Sequence, residues 1–135
     1  MARILALDYG SRRTGIATTD PMQIIATMLT TVETPQLIDY LTRYMKSEEV
    51  EKIVIGQVTR ADGSPSTLEP AILELIADLQ KLSPALVFDR HDESYTSQRA
   101  QEIIFQSHKK KKRQDKSLVD AVSALIILQE YLGFI

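Results

Sequence analysis

Cysteine is absent from this chain, and histidine occurs only twice, at positions 91 and 108. Without thiols there is no disulfide and no thiolate metal centre, a composition that fits the reducing cytosol. Long apolar runs are also missing. The richest, Val122 to Leu128, is interrupted by Ser123 and falls far short of the roughly 20 residues that span a bilayer. No signal peptide is expected, because Met1-Ala2-Arg3 leads straight into a strand-like segment. The expected setting is therefore cytoplasmic, with no membrane partner. Neither an internal repeat nor a linker divides the sequence, so residues 1–135 are expected to form one domain. What is present is a globular balance of 44% hydrophobic and 25% charged residues. A formal net charge of −2 excludes a protein basic all over, but it leaves room for a local basic patch.

The hydrophobic pattern alternates between strand and helix. Arg3 to Tyr9 reads as a central strand, since Ile4, Leu5, Ala6 and Leu7 are apolar on both faces. Gly10 to Arg13 is a turn, and Thr14 to Thr19 completes a hairpin. Asp20-Pro21 breaks that strand, and Gln23 to Val32 is a third β-prone stretch. Thr34-Pro35 offers an N-cap with proline at the first helical position, followed by Leu37, Ile38, Leu41, Tyr44 and Met45 at helical spacing. A strand over Lys52–Gly56, a polar loop over Ala61–Pro65 and a helix carrying Leu68, Ile72, Leu75, Ile76 and Leu79 come next. Ala85 to Phe88 is the fifth strand; Ala100, Ile103, Ile104 and Ser107 mark a third helix, and Leu118 to Leu132 a final apolar one. The order βββαβαβαα implies an α/β protein, a mixed five-stranded sheet with helices on its faces.

Three acids sit awkwardly in this layout. Asp8 ends the apolar first strand, where an ionised carboxylate is costly unless paired or metal-bound; the competing reading is a turn-forming Asp before Tyr9-Gly10. Asp120 lies in the apolar final helix, with Ser123, Ala124 and Ile127 three, four and seven residues on. That small face would let the helix press against the sheet and deliver the carboxylate to its edge. The alternative is a first-turn acid complementing the helix dipole. Glu93 stands just past the fifth strand, where a dipole-complementing acid is equally common. Topology joins them: ligands of open α/β sheets gather at the carboxyl ends of strands, where Asp8 and Glu93 fall. Convergent carboxylates without His or Cys make an oxygen-only site, which suits Mg²⁺ or Mn²⁺ rather than Zn²⁺. Two such ions about 4 Å apart can activate water and stabilise the leaving oxygen of a phosphodiester.

The segment Leu7-Asp8-Tyr9-Gly10-Ser11-Arg12-Arg13-Thr14-Gly15-Ile16-Ala17 resembles the opening of the YqgF family, described as Holliday junction resolvases or pre-16S rRNA nucleases. The resemblance continues through Gly56, Asp62-Gly63-Ser64, Asp92-Glu93-Ser94-Tyr95-Thr96-Ser97, Lys116-Ser117-Leu118-Val119-Asp120-Ala121 and Leu125 to Leu132, in order over nearly the whole chain. It implies a ribonuclease H-like fold and a metal-dependent nuclease. The catalytic and metal-binding acids would be Asp8, Glu93 and Asp120, holding one or two Mg²⁺ (or Mn²⁺) ions. The implied partner is structured nucleic acid, a ribosomal RNA precursor cut during 5′-end processing or a branched DNA, with the protein a monomer or homodimer. Two positions depart from the family pattern: Gln57-Val58 replaces its usual Leu-Pro, and Ser94 stands where it usually has an Arg able to clamp a phosphate. Arg90, Arg99 or the lysine run are candidates to compensate.

That run, Lys109, Lys110, Lys111, Lys112 and Arg113, is a second functional signal. Between Glu93 and Asp120 it would neutralise phosphates flanking the scissile bond; a merely solubilising connector is the plain alternative. Arg12, Arg13 and Arg99 are further nucleic-acid contacts. Tyr95 is a base-stacking candidate, and His91 and His108 read as surface residues outside the chemistry. Two rival classes remain: a non-catalytic nucleic-acid or ribosome-associated binding module, and a nucleotide-phosphate-binding protein of the actin and sugar-kinase type. The latter uses two such domains around ATP.

Overall fold

A computed structural model of the chain describes residues 2–58, 62–92 and 116–135. The expected five strands are all there: β1 (Arg3–Asp8), β2 (Arg13–Thr19), β3 (Ala26–Glu33), β4 (Val50–Gln57) and β5 (Val87–Asp92). They form one sheet in the order β3-β2-β1-β4-β5. The β1–β2 and β2–β3 pairs are antiparallel, whereas β1–β4 and β4–β5 are parallel, so the sheet is mixed as the element order requires.

Three helices are described: α1 (Leu37–Ser47), α2 (Glu69–Leu82) and α3 (Lys116–Tyr131). Strand alternation divides the core between the two faces. Leu5, Leu7, Ile16, Ile53 and Ile55 pack with Leu37 and Leu41 of α1 and with Ile72, Leu75 and Leu79 of α2. Ile4, Ala6, Ala17 and Val54 meet Ala124, Ile127 and Leu128 of α3 on the other. Alanines at 6, 17 and 124 keep this second layer thin, so α3 lies close over β1 and β2. The helix expected over Ala100–Ser107 lies outside the described residues.

Three of the boundaries that differ from the sequence expectation have a structural cause. β3 begins at Ala26 rather than Gln23, because the Asp20 carboxylate accepts the backbone N–H groups of Met22, Ile24 and Ile25 and holds them in a turn. Thr34 is no helix cap. Thr34–Gln36 form a 3₁₀ turn without a side-chain cap, and α1 starts at Leu37. Instead the Thr34 hydroxyl donates to the Gly10 carbonyl at 2.6 Å and lies 3.0 Å from the Thr14 hydroxyl, while its N–H donates to the Arg12 carbonyl. The residue therefore fastens the β1–β2 turn. β5 runs over Val87–Asp92, later than Ala85–Phe88. Among the described strands it pairs with β4 alone, so its charged residues find solvent or polar partners that an interior strand would deny them.

Candidate nuclease site

Asp8 is the last residue of β1 and pairs in register with Gly15 of β2. It shares the parity of Ile4 and Ala6, which puts it on the α3 side of the sheet. Asp120 arrives at the same place from the helix. A Cβ added to Gly15 would lie 1.9 Å from the Asp120 carbonyl oxygen and 2.8 Å from the Ala121 nitrogen. Gly15 is thus the bare spot on which the Asp120 turn of α3 rests. Register partners in an antiparallel pair have Cα atoms roughly 4.5–5.5 Å apart, so the two acids belong to one end and one face of the sheet. The first-turn reading of Asp120 fails, since among the described residues α3 already runs from Lys116 and its first turn holds no acid. The small surface noted beyond it is real: Ser123 and Ala124 are fully buried.

Glu93 follows Asp92, the last residue of β5, and lies outside the described residues, as do Ser94, Tyr95, Arg99, His108 and the run Lys109–Arg113. Among the described residues no three His, Cys, Asp or Glu side chains form a group able to hold a metal. Of the three expected acids, Asp8 and Asp120 are the two that the described residues include. The pair nonetheless suits a hard cation: its donors are carboxylate oxygens, and Asp120 already accepts a cationic partner. That partner is Arg13, whose Nε donates to Asp120 Oδ2 at 2.9 Å. Arg13 is therefore engaged with the acid rather than presented to solvent as Arg12 is, which stands exposed in the turn.

Arg90 is not available to replace the missing phosphate clamp. Its two terminal nitrogens donate to both carboxylate oxygens of Glu69 at 2.6 and 2.7 Å, and its Nε and Nη2 reach the carbonyls of Ile55 and Gly56. This fork ties the start of α2 to the end of β4. The Arg90 hydrogen bonds hold the Glu69 carboxyl below its ordinary 4.5, against the opposing effect of burial. A carboxyl with a lowered folded-state value stabilises fully above its ordinary value, and that stability is lost as pH falls through the lowered one. Glu69→Gln is accordingly expected to cost about 1–2 kcal/mol at neutral pH. The gap from the parent should close in denaturant melts as pH falls below the ordinary carboxyl value of 4.5 and through the lowered one; a gap independent of pH would count against the ion pair.

Sequence reasoning also missed the seam between α3 and β5. Tyr131 donates its hydroxyl to Asp89 Oδ2 at 2.6 Å and accepts a hydrogen bond from Lys52 Nζ at 2.9 Å. His91 is no loose surface residue: it is half-buried, 3.4 Å from Glu130 and edge-on to the Tyr131 ring. Its parity, shared with Asp89, was the one available signal.

Solved structures share this architecture. The fowlpox virus resolvase, in a complex with its substrate Holliday junction DNA, matches with a TM-score of 0.60 at 10% identity, over 98% of this chain and 97% of that one. RuvC of T. thermophilus, in complex with a Holliday junction substrate, gives 0.57 at 12% identity over 98% and 97%. The fold is that of the ribonuclease H-like resolvases. The family model of RuvX, described as Holliday junction resolvase, matches residues 2–133. A protein of Christiangramia forsetii named "Putative pre-16S rRNA nuclease" is 50% identical over 133 residues, 98% of either chain. One of the same name from Flavobacterium psychrophilum is 46% identical over 98% of this chain and 97% of its own. The chain belongs to the RuvX family, the nuclease family that its motifs resemble under the name YqgF. No helix among the described residues is long and apolar enough to cross a membrane.

Proposed function

We propose that this chain is a divalent-metal-dependent endonuclease that trims a ribosomal RNA precursor in the cytoplasm. The observation that supports the reading is that Asp8 pairs in register with Gly15, at the carboxyl end of β1, while the Asp120 backbone of α3 rests on that same Gly15. The relatives' names favour a pre-16S rRNA precursor over junction DNA. Asp8, Asp120 and Glu93 would hold one or two Mg²⁺ or Mn²⁺ ions, which supply an activated water and neutralise charge on the reacting phosphate. The chain's own residues set the rest. Gly15 and Thr34 fix the hairpin that carries Asp8, and α3 carries Asp120 as part of the same packed layer. Arg12, in the exposed turn, meets a backbone phosphate; Arg99 and Lys109 to Arg113 neutralise its neighbours.

The test is digestion of a pre-16S rRNA fragment and of a four-way DNA junction, each with Mg²⁺ and with EDTA, and with binding measured in parallel. Cleavage of the RNA in Mg²⁺ alone is expected. Tight binding without cleavage in either buffer would make the chain a binding module, and preference for the junction would reassign the substrate.

The basic run has its own expected signature. Replacing Lys109 to Lys112 by Gln should weaken RNA binding and flatten its dependence on salt, because about four fewer phosphates are neutralised and fewer counterions released. Turnover at saturating RNA should change little, since such lysines position the strand without touching the reacting phosphate. Identical slopes of log affinity against log salt would reduce the run to a solubilising connector.

A further inference from the structure

Arg13 is the first residue of β2, two positions before Gly15 and of the same parity, so it faces α3. Its contact with Asp120 joins residues 107 apart in sequence, and both side chains are mostly withdrawn from water, 34% and 23% exposed. The guanidinium is therefore built into the acid site itself. We infer that Arg13 is the site's own counter-cation, holding Asp120 Oδ2 in the metal-free protein and giving it up when a divalent ion is ligated there. The inference rests on the reading of Asp8 and Asp120 as metal ligands.

Charge balance requires such a device. Two carboxylates brought to one end of the sheet repel each other, which favours splaying of both. A fixed guanidinium holds the Asp120 carboxylate in place without metal. A divalent ion and a guanidinium on the same carboxylate oxygen repel in turn, so they compete rather than share. The structure gives Arg13 somewhere to go. It borders a cavity of about 380 Å³ lined also by Ser11, Arg12, Glu33 and Pro35, and Glu33 is its register partner on β3. The alternative acid thus lies on the adjoining strand, opposite Arg13.

The experiment is Mn²⁺ binding to the full chain by titration calorimetry at constant pH, with thermal melts in EDTA and in Mn²⁺. Arg13→Gln is expected to bind Mn²⁺ roughly three- to tenfold more tightly, the affinity equivalent of losing a half-buried competing ion pair. Its melting point should fall in EDTA and be raised by Mn²⁺ more than the parent's is. Arg13→Lys, which keeps the charge but not the planar fork, should lie between the two and decides the matter if the Gln variant does not fold. Arg12→Gln removes a neighbouring charge that is not part of the pair, and should shift affinity by under about twofold. Unchanged or weaker Mn²⁺ binding in the Arg13 variants overturns the inference, as does equal tightening by Arg12→Gln, which would be a through-space charge effect. Asp8→Asn separates this from the underlying reading. If it weakens Mn²⁺ binding while the Arg13 variants do nothing, only the counter-cation role falls; if it leaves Mn²⁺ binding intact, the metal site and this inference fall together.

Discussion

Asp8→Asn is expected to melt close to the parent chain yet to turn over RNA about a hundredfold or more slowly in Mg²⁺. The substitution preserves volume and shape at the end of β1 and removes one negative charge. Fold stability should hardly register it, because Asp8 caps a strand whose packing lies in Ile4 to Leu7. Those four residues are buried between both helical layers, and none of their contacts changes. The chemistry should register it strongly, because a neutral amide ligates a hard cation far more weakly than a carboxylate does. Measured as kcat at saturating RNA, the defect should persist when Mg²⁺ is raised only moderately. A variant with parental turnover would remove Asp8 from the metal site and leave Asp120 paired with Arg13 as a structural contact.

The β1–β2 hairpin and the place of Asp8 at the end of its first strand are legible in the sequence, because local rules decide them. An apolar run on both faces makes β1 central, and a turn at Gly10 follows; a Cβ there would sit 2.5 Å from the Arg13 carbonyl. Helical stripes in α1 and α2 likewise foretell the residues they bury, Leu37 and Leu41, and Ile72, Leu75 and Leu79. What local rules cannot reach is pairing across long separations. Arg13 looks like an exposed turn cation until α3 is laid over it. Arg90 looks like a phosphate clamp until α2 supplies Glu69. Thr34 before proline has the pattern of an N-cap, but its hydroxyl finds a better acceptor 24 residues away at Gly10. β5 shows the same limit in reverse. Asp89, Arg90, His91 and Asp92 carry no strand pattern, and the strand exists because β4 offers an open parallel edge and because Tyr131, Glu69 and Glu130 partner its polar side chains.

Gly15→Ala is expected to damage stability and catalysis together. The methyl group would stand 1.9 Å from the Asp120 carbonyl oxygen, 2.3 Å from its carbon and 2.8 Å from the Ala121 nitrogen, all backbone atoms with no rotamer to change. Either β2 or α3 has to move. β2 is held on both sides, by β1 and β3, and its neighbours Thr14 and Ile16 are fully buried, so the helix is the element that lifts. Lifting α3 loosens the layer in which Ala124, Ile127 and Leu128 pack on Ala6, Ala17 and Val54. Overpacking of this kind costs about 3 kcal/mol, which for a chain of this size lowers the melting point by roughly ten degrees. It also carries Asp120 away from Asp8, and a displacement of about 1 Å at a reacting site can cost on the order of a hundredfold in rate. Activity must therefore be measured well below the variant's own melting point, so that the rate loss is not unfolding in disguise. Gly63→Ala is the matched control: its φ of +87° makes alanine strained, but nothing lies within 4 Å of the added carbon, so it should cost about 1 kcal/mol and leave turnover alone. A Gly15→Ala protein with parental melting point and parental kcat would mean that α3 does not rest on β2 as described, and the joining of Asp8 with Asp120 would fail with it.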